Sequence, residues 1–184
     1  MRIIVGVSGA SGAVYGWELL KFLSGEGHEI HAVVSANGWK VLEHECNVSP
    51  QDVENLVTRL HAFDNLGAAI ASGSFKTDAM VVAPCSMRTV AAIAHGLADN
   101  LLCRAADVVI KERRRLVLVP RETPLSSIHL VNMLSLSNLG VTIMPASPGF
   151  YHLPENIDGL VKCMVGRIAD ALGVDNQLFP RWAG

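Results

Sequence analysis

The chain has 184 residues, of which 50% are hydrophobic and 17% charged, with a formal net charge of −2. That length suits one domain of ordinary size with a real buried core, and the charge balance excludes the basic face that grips nucleic acid. No apolar run is long enough to span a bilayer, and the low charged fraction points to surface hidden in an oligomer.

The first apolar run, residues 2–7, reads as a buried strand. It leaves no room for a secretory signal, and the four cysteines (Cys46, Cys85, Cys103, Cys163) show no C-x-x-C spacing. Both features predict a reducing, cytoplasmic compartment. The strand runs into Ser8-Gly9-Ala10-Ser11-Gly12, and a helix follows over residues 12–24, with Leu19, Leu20 and Leu23 on its apolar face. A strand feeding a glycine-rich turn and a helix N-terminus offers backbone N–H donors to a phosphate. The spacing fails the G-x-G-x-x-G dinucleotide fingerprint, and no P-loop lysine is present. The competing reading is a tight turn with Ser11 as helix N-cap.

Residues 28–34 form a second predicted strand, and 37–45 and 50–60 two helices, the latter opened by Ser49-Pro50. A third strand over 79–83 is stopped by Pro84, and helices follow at about 86–95 and 100–113. Ser86 is a candidate N-cap, while Arg88 and Thr89 sit in the first turn, where a cation opposes the helix dipole unless an anion lies nearby. The run Lys111-Glu112-Arg113-Arg114-Arg115 reads as a solvated helix end. A fourth strand, 116–119, ends at Pro120, a helix covers 126–138 up to Gly140, a fifth strand spans 141–144, and the last helix runs from 155 to 172, closed by Gly173.

This alternation predicts an α/β protein, a Rossmann-like or flavodoxin-like three-layer fold with a mostly parallel sheet. The expected organisation is a single domain over 1–184, with residues 174–184 as a docking tail through Phe179 and Trp182. Ligands of such sheets bind beyond the carboxyl ends of the strands. There Arg121 and Glu122 lie between Pro120 and Pro124, a rigid presentation suited to a phosphate clamp beside a proton-transfer acid. Tyr151 follows the last strand and can donate to an anion or help plug the sheet end. Arg167 and Lys111 are further cations, with exposed charge as their plain alternative. No histidine spacing gathers metal ligands: His28 and His31 would face opposite sides of one strand.

Four segments together resemble the flavin prenyltransferase family, the UbiX group of the flavin-dependent Cys-decarboxylase-like fold: "GVSGASGAVYG", "SGSFKTDAMVVAPCSM", "RAADVVIKERRRLVLVPRETPLSSIHLVNMLSLSNLG" and "PGFYHLPENIDGLV". The resemblance implies metal-independent transfer of a dimethylallyl group from dimethylallyl monophosphate to N5 and C6 of reduced FMN, with the prenylated FMN passed to a UbiD-type decarboxylase. It implies FMN contacts at Gly9, Ala10, Ser11, Ser35, Ser86, Met87, Arg88, Thr89 and Arg121. Tyr151, Arg167, Lys111 and Arg104 would hold the prenyl phosphate, and Ser11, Glu45 and Glu122 would serve the chemistry. A homo-oligomer, a dodecamer by resemblance, would complete the site across subunits. The alternatives are an FMN-dependent cysteine decarboxylase or a non-catalytic FMN-binding subunit. The former carries a histidine just before the third strand and an Asn-Met segment after a late one, where this chain reads Ala69–Ser74 and Pro145–Pro148.

Overall fold

The computed structural model describes residues 1–182, so Ala183 and Gly184 of the expected tail lie outside the described residues. Six strands form one sheet: β1 (Arg2–Val7), β2 (Glu29–Val34), β3 (Arg59–His61), β4 (Ala79–Cys85), β5 (Arg115–Pro120) and β6 (Thr142–Ile143). Their order is β3-β2-β1-β4-β5-β6, and every neighbouring pair is parallel. Among the described residues the α-helices are α1 (Ala13–Gly25), α2 (Ala36–Cys46), α3 (Pro50–Glu54), α4 (Met87–Ala94), α5 (Leu101–Lys111), α6 (Ser127–Asn138) and α7 (Ile157–Leu172).

Successive strand side chains point to opposite faces, so each central strand feeds two cores. Ile3, Val5 and Val7 of β1, with Val81 of β4 and Val117 of β5, pack under α1, α2 and α7. Ile4, Met80, Val82, Leu116 and Leu118 pack under α4, α5 and α6. The result is the expected three-layer α/β fold, with a fully parallel sheet.

Four local expectations need correction. The helix expected over 50–60 opens on a capping box of Ser49 and Asp52 but ends at Glu54, and the chain then leaves to pair with β2. That pairing makes β3, a sixth strand, and the Thr58 hydroxyl accepts from the Ile30 N–H at 3.0 Å beside it. β4 does not stop at Pro84 but continues to Cys85, with its register to β5 shifting between Val82 and Cys85, where a missing N–H is tolerated. The run after α5 is solvated only in part: Lys111, Glu112 and Arg113 are exposed, whereas Arg114 donates to the Phe75 and Gly73 carbonyls at 2.9 and 2.6 Å, and Arg115 donates to the Leu172 carbonyl. These bonds staple the segment before β4, and the end of α7, to the amino edge of the sheet.

The tail does dock. Phe179 is buried, and the Asn176 amide donates to the Gly166 carbonyl at 3.0 Å and to Asp170 at 2.8 Å. Arg181 pairs with Asp170 and lies over the Phe179 ring. Trp182 is exposed and meets Tyr151 edge-on.

Candidate active site

The strand order reverses between β1 and β4, the place where open α/β sheets form a crevice. Ser8, at the end of β1, joins the two loops there. Its hydroxyl donates to the Pro84 carbonyl at 3.1 Å and accepts from the Ser86 N–H at 2.7 Å.

A cavity of ≈ 270 Å³ opens at this point, and three helix N-caps line it. Ser35 accepts from Gly38 N–H at 3.0 Å to cap α2, Ser86 from Thr89 N–H at 3.3 Å to cap α4, and Asn100 from Cys103 N–H at 2.9 Å to cap α5. One side chain satisfies one N–H of a first turn, and the remaining ones stay available. Three positive dipole ends therefore converge on one small space, a ready seat for an anion. Gly9, Arg88 and Thr89 complete its predicted residues. Gly9 has no room for a side chain, since a Cβ there would lie 2.4 Å from the Asn37 Cβ. Arg88 is exposed and 3.7 Å from Asp99. Ala10 and Met87, also expected at the flavin, are buried and do not line the cavity.

Ser11 is not the N-cap of α1. Gly12 holds that position at φ 99°, a left-handed conformation that favours glycine. The cap is supplied from afar, by Glu45 in the last turn of α2. Its Oε2 accepts from the Gly12 and Ala13 N–H groups at 2.9 and 2.8 Å. This leaves the exposed Ser11 hydroxyl uncommitted to the helix. Arg121, just past β5, donates from Nε to the Ser11 carbonyl at 3.2 Å. Glu122 turns its Oε1 to its neighbour's Thr123 N–H at 3.0 Å and stands exposed. Glu45 and Arg121 thus both hold the loop that carries Ser11, while Glu122 makes no hydrogen bond to it.

Tyr151 and Arg167 share a second cleft at the same end of the sheet, ≈ 320 Å³ in volume, with Ser147, Gly149, Cys163 and Met164. Arg104 and Lys111 do not reach either space within one chain. The α5 helix starts at the cavity and runs eleven residues away from it, about 16 Å at 1.5 Å per residue. Arg104 donates to the Ala71 carbonyl at 3.2 Å and pairs with Asp107, and Lys111 pairs with Glu112.

Sequence reasoning missed Phe63, Asn100 and Cys103 as cavity residues. Asn100 carried a signal, being an N-cap residue type at the start of a predicted helix, whereas Phe63 sits after the unforeseen β3. Burial pushes the Cys103 and Cys85 thiols up, so neither offers a thiolate at neutral pH. Among the described residues, no group of three His, Cys, Asp or Glu side chains is placed to hold a metal ion.

Residues 1–169 match the family model described as Flavoprotein. The flavin prenyltransferase UbiX of Halalkalibacterium halodurans is 46% identical over 188 residues, covering 97% of this chain and 91% of the relative. The crystal structure of AnUbiX (PadA1) in complex with FMN and dimethylallyl pyrophosphate superposes with a TM-score of 0.97 at 44% identity, over 100% of this chain and 97% of that one. A dodecameric FMN-dependent UbiX-like decarboxylase from Escherichia coli O157:H7 also gives 0.97, at 48% identity and complete coverage of both chains. The epidermin biosynthesis protein EpiD from Staphylococcus aureus, at 19% identity and a TM-score of 0.62, shares the fold alone. A family model spanning most of the chain, with relatives this similar end to end, places the protein in the Flavoprotein family, among the UbiX flavin prenyltransferases.

Proposed function

We propose that this chain joins a dimethylallyl group to N5 and C6 of reduced FMN, using dimethylallyl monophosphate as donor. The observation that carries the reading is the pairing of two sites at one end of the sheet: a cavity fed by three helix N-termini, and the cleft shared by Tyr151 and Arg167. The donor set fits a flavin phosphate. Hydroxyls of Ser35, Ser86 and Thr89 and the Arg88 guanidinium accompany those N-termini, and Gly9 keeps the loop flat against Asn37.

Bound reduced FMN supplies the nucleophilic atoms and a π-face that favours an allylic cation. The chain's own residues do the rest. Tyr151 and Arg167 donate to the departing phosphate, whose charge grows as the C–O bond breaks. Arg121 braces the loop carrying Ser11, and its guanidinium favours an anion there. Ser11 and Glu122 handle protons: a hydroxyl assists the leaving oxygen, and the exposed carboxylate accepts a proton from the alkylated ring. Glu45 acts through the loop it caps.

Lys111, at the far end of α5, and Arg104, held by the Ala71 carbonyl and Asp107, would enter from a neighbouring copy. A homo-oligomer, a dodecamer like that of the E. coli protein, supplies that neighbour. The product is handed to a UbiD-type decarboxylase. Four free cysteines support a reducing, cytoplasmic setting, and no described helix is long and apolar enough to cross a membrane.

Incubation with reduced FMN and dimethylallyl monophosphate tests the reading by mass and absorbance of the flavin. A gain of one five-carbon unit is expected. FMN bound but unchanged in mass would overturn it in favour of a non-catalytic flavin-binding subunit.

A further inference from the structure

Most polar side chains that line the cavity between β1 and β4 are already committed within the chain. Ser8 serves twice, donating to the Pro84 carbonyl and accepting from the Ser86 N–H. The Ser86 and Thr89 hydroxyls pair at 3.1 Å, and Ser86 also caps α4. Asn100 accepts from the Cys103 N–H at 2.9 Å and donates to Asp99 Oδ1 at 2.8 Å, so both ends of its amide are engaged. Arg88 leans on the same Asp99. Ser35 accepts from the Gly38 N–H and keeps only its own hydroxyl proton. Asn37 differs: it lines the cavity, it is exposed, and its carboxamide makes no hydrogen bond among the described residues.

Its position is nonetheless fixed. Asn37 is the second residue of α2, whose helical backbone sets the direction of its Cα–Cβ bond. That Cβ lies over Gly9, since a Cβ built on the glycine would come within 2.4 Å of it. The side chain therefore starts from the contact between α2 and the loop that carries Ser11. The main chain beside it also has donors to offer. In this first turn the Gly38 N–H goes to Ser35 Oγ and the Trp39 N–H to the Ser35 carbonyl, which leaves those of Ala36 and Asn37 for a ligand. One residue thus presents a main-chain N–H and an uncommitted side-chain N–H₂ to the same space.

From this we infer that Asn37 is a further flavin-binding residue, one that selects the phosphorylated flavin: its Nδ2 and its main-chain N–H both donate to the FMN phosphate. The inference rests on the cavity being the seat of that phosphate. At neutral pH a phosphate monoester is anionic and accepts hydrogen bonds, so an amide suits it as a donor. Asn37→Asp keeps the size and shape of the side chain but turns the donor into a second anion. The same change favours the helix itself, because a carboxylate in the first turn complements the positive end of the α2 dipole. Binding and folding therefore respond to it with opposite signs, which a merely structural residue would not show.

FMN and riboflavin, titrated separately into the flavin-free full-length protein and followed by quenching of flavin fluorescence, test the assignment. Wild type should bind FMN more tightly than riboflavin. Asn37→Ala, which keeps the Cβ against Gly9, should weaken FMN about 10-fold, the loss of one hydrogen bond to a charged group. Asn37→Asp should weaken it at least about 100-fold through like-charge repulsion. Neither variant should change riboflavin affinity by more than about 2-fold, the scale of an untouched contact. The Tm of flavin-free Asn37→Asp should equal or exceed that of wild type, so its loss of FMN is not a loss of fold. Wild-type FMN affinity in Asn37→Asp, or an equal loss of both flavins, would overturn the role of Asn37 and leave the phosphate seat standing. Wild-type protein that binds riboflavin as tightly as FMN would overturn the seat, and the role of Asn37 with it.

Discussion

Glu45 caps a helix to which it does not belong: from the end of α2 its carboxylate accepts the Gly12 and Ala13 N–H groups that open α1. A strand-to-helix turn normally supplies its own cap, and Ser11 is the residue type and position to do so. Here Gly12 takes the left-handed conformation, and the negative charge that favours a helix N-terminus comes from the neighbouring helix α2. The arrangement ties α2 to the loop that carries Ser11.

The first expected outcome separates capping from proton transfer at Glu45. Glu45→Gln keeps a side-chain oxygen that can accept both N–H groups, whereas Glu45→Ala leaves them to water. The alanine variant should lose roughly 1 kcal/mol, seen as a fall of about 2–4 °C in Tm, and the glutamine variant clearly less. If Glu45 acts by holding the loop, Glu45→Gln should keep most of the prenylation rate. A rate as low as that of the alanine variant would assign Glu45 a proton instead.

Glu122 should behave in the opposite way. It is exposed, makes its one polar contact to the Thr123 N–H, and supports no helix. Glu122→Gln should therefore leave Tm and FMN affinity unchanged while slowing prenylation by about 10²-fold or more, the usual scale of a lost general acid or base. Wild-type single-turnover rates in this variant would remove Glu122 from the chemistry.

Much of this was legible in the residues because the central strands are continuous apolar runs that end at prolines or at small polar loops. Ser8, Ser35, Ser86 and Arg121 could be placed at carboxyl ends before any coordinates. What escaped depends on partners distant in sequence. Arg59-Leu60-His61 has no strand signal of its own and pairs only because β2 offers a free edge. Pro84 reads as a strand terminator, yet its neighbour Cys85 still pairs with Pro120. The arginines after α5 look solvated in one dimension but find backbone carbonyls of Gly73, Phe75 and Leu172 in three. Arg104 and Lys111 share a helix with cavity residues, and only their partners, the Ala71 carbonyl with Asp107 and Glu112, show that they are held elsewhere.

Packing of α1 on the sheet allows no tolerance at Gly16. A Cβ there would sit 2.2 Å from the Ala83 carbonyl oxygen, a backbone atom that cannot rotate away. Gly16→Ala should therefore be destabilising by about 1–3 kcal/mol despite alanine's better helix propensity. A urea midpoint shifted down with an unchanged m-value is the expected signature. A midpoint at or above wild type would mean that the helix lifts from β4 without penalty.

The His31–His61 pair predicts an acid sensitivity distinct from that of the carboxylates. His61 is held down to about 4 from an ordinary 6.5 by burial, by His31 and by Arg59. Between those values the unfolded chain binds a proton that the native chain refuses. Stability should therefore fall as pH drops from 6.5 toward 4 and level off with respect to this group below it. His28, lowered by burial, adds in the same direction. The carboxyls of Glu29, Asp52 and Asp170 are held below their ordinary values, so their losses begin at lower pH. His61→Leu should flatten the pH 4–6.5 slope of the urea-derived stability, and an unchanged slope would place the titration elsewhere.

The tail offers a last separable test, because its docking depends on a residue with no side chain. A Cβ at Gly166 would meet the Phe179 ring at 2.5 Å and the Asn176 side-chain oxygen at 2.8 Å. Asn176 in turn donates to the Gly166 carbonyl and to Asp170, which Arg181 also grips. Gly166→Val should expel residues 176–181 while α7 keeps its burial against the sheet through Val165, Ile168 and Ala169. Hydrogen exchange should then show lost protection at Leu178 and Phe179, with the core strands unaffected. Since Trp182 meets Tyr151 edge-on, release of the tail should also raise KM for the prenyl phosphate more than it lowers kcat. Full protection of the tail in Gly166→Val would show that the close contact at position 166 is not what seats it.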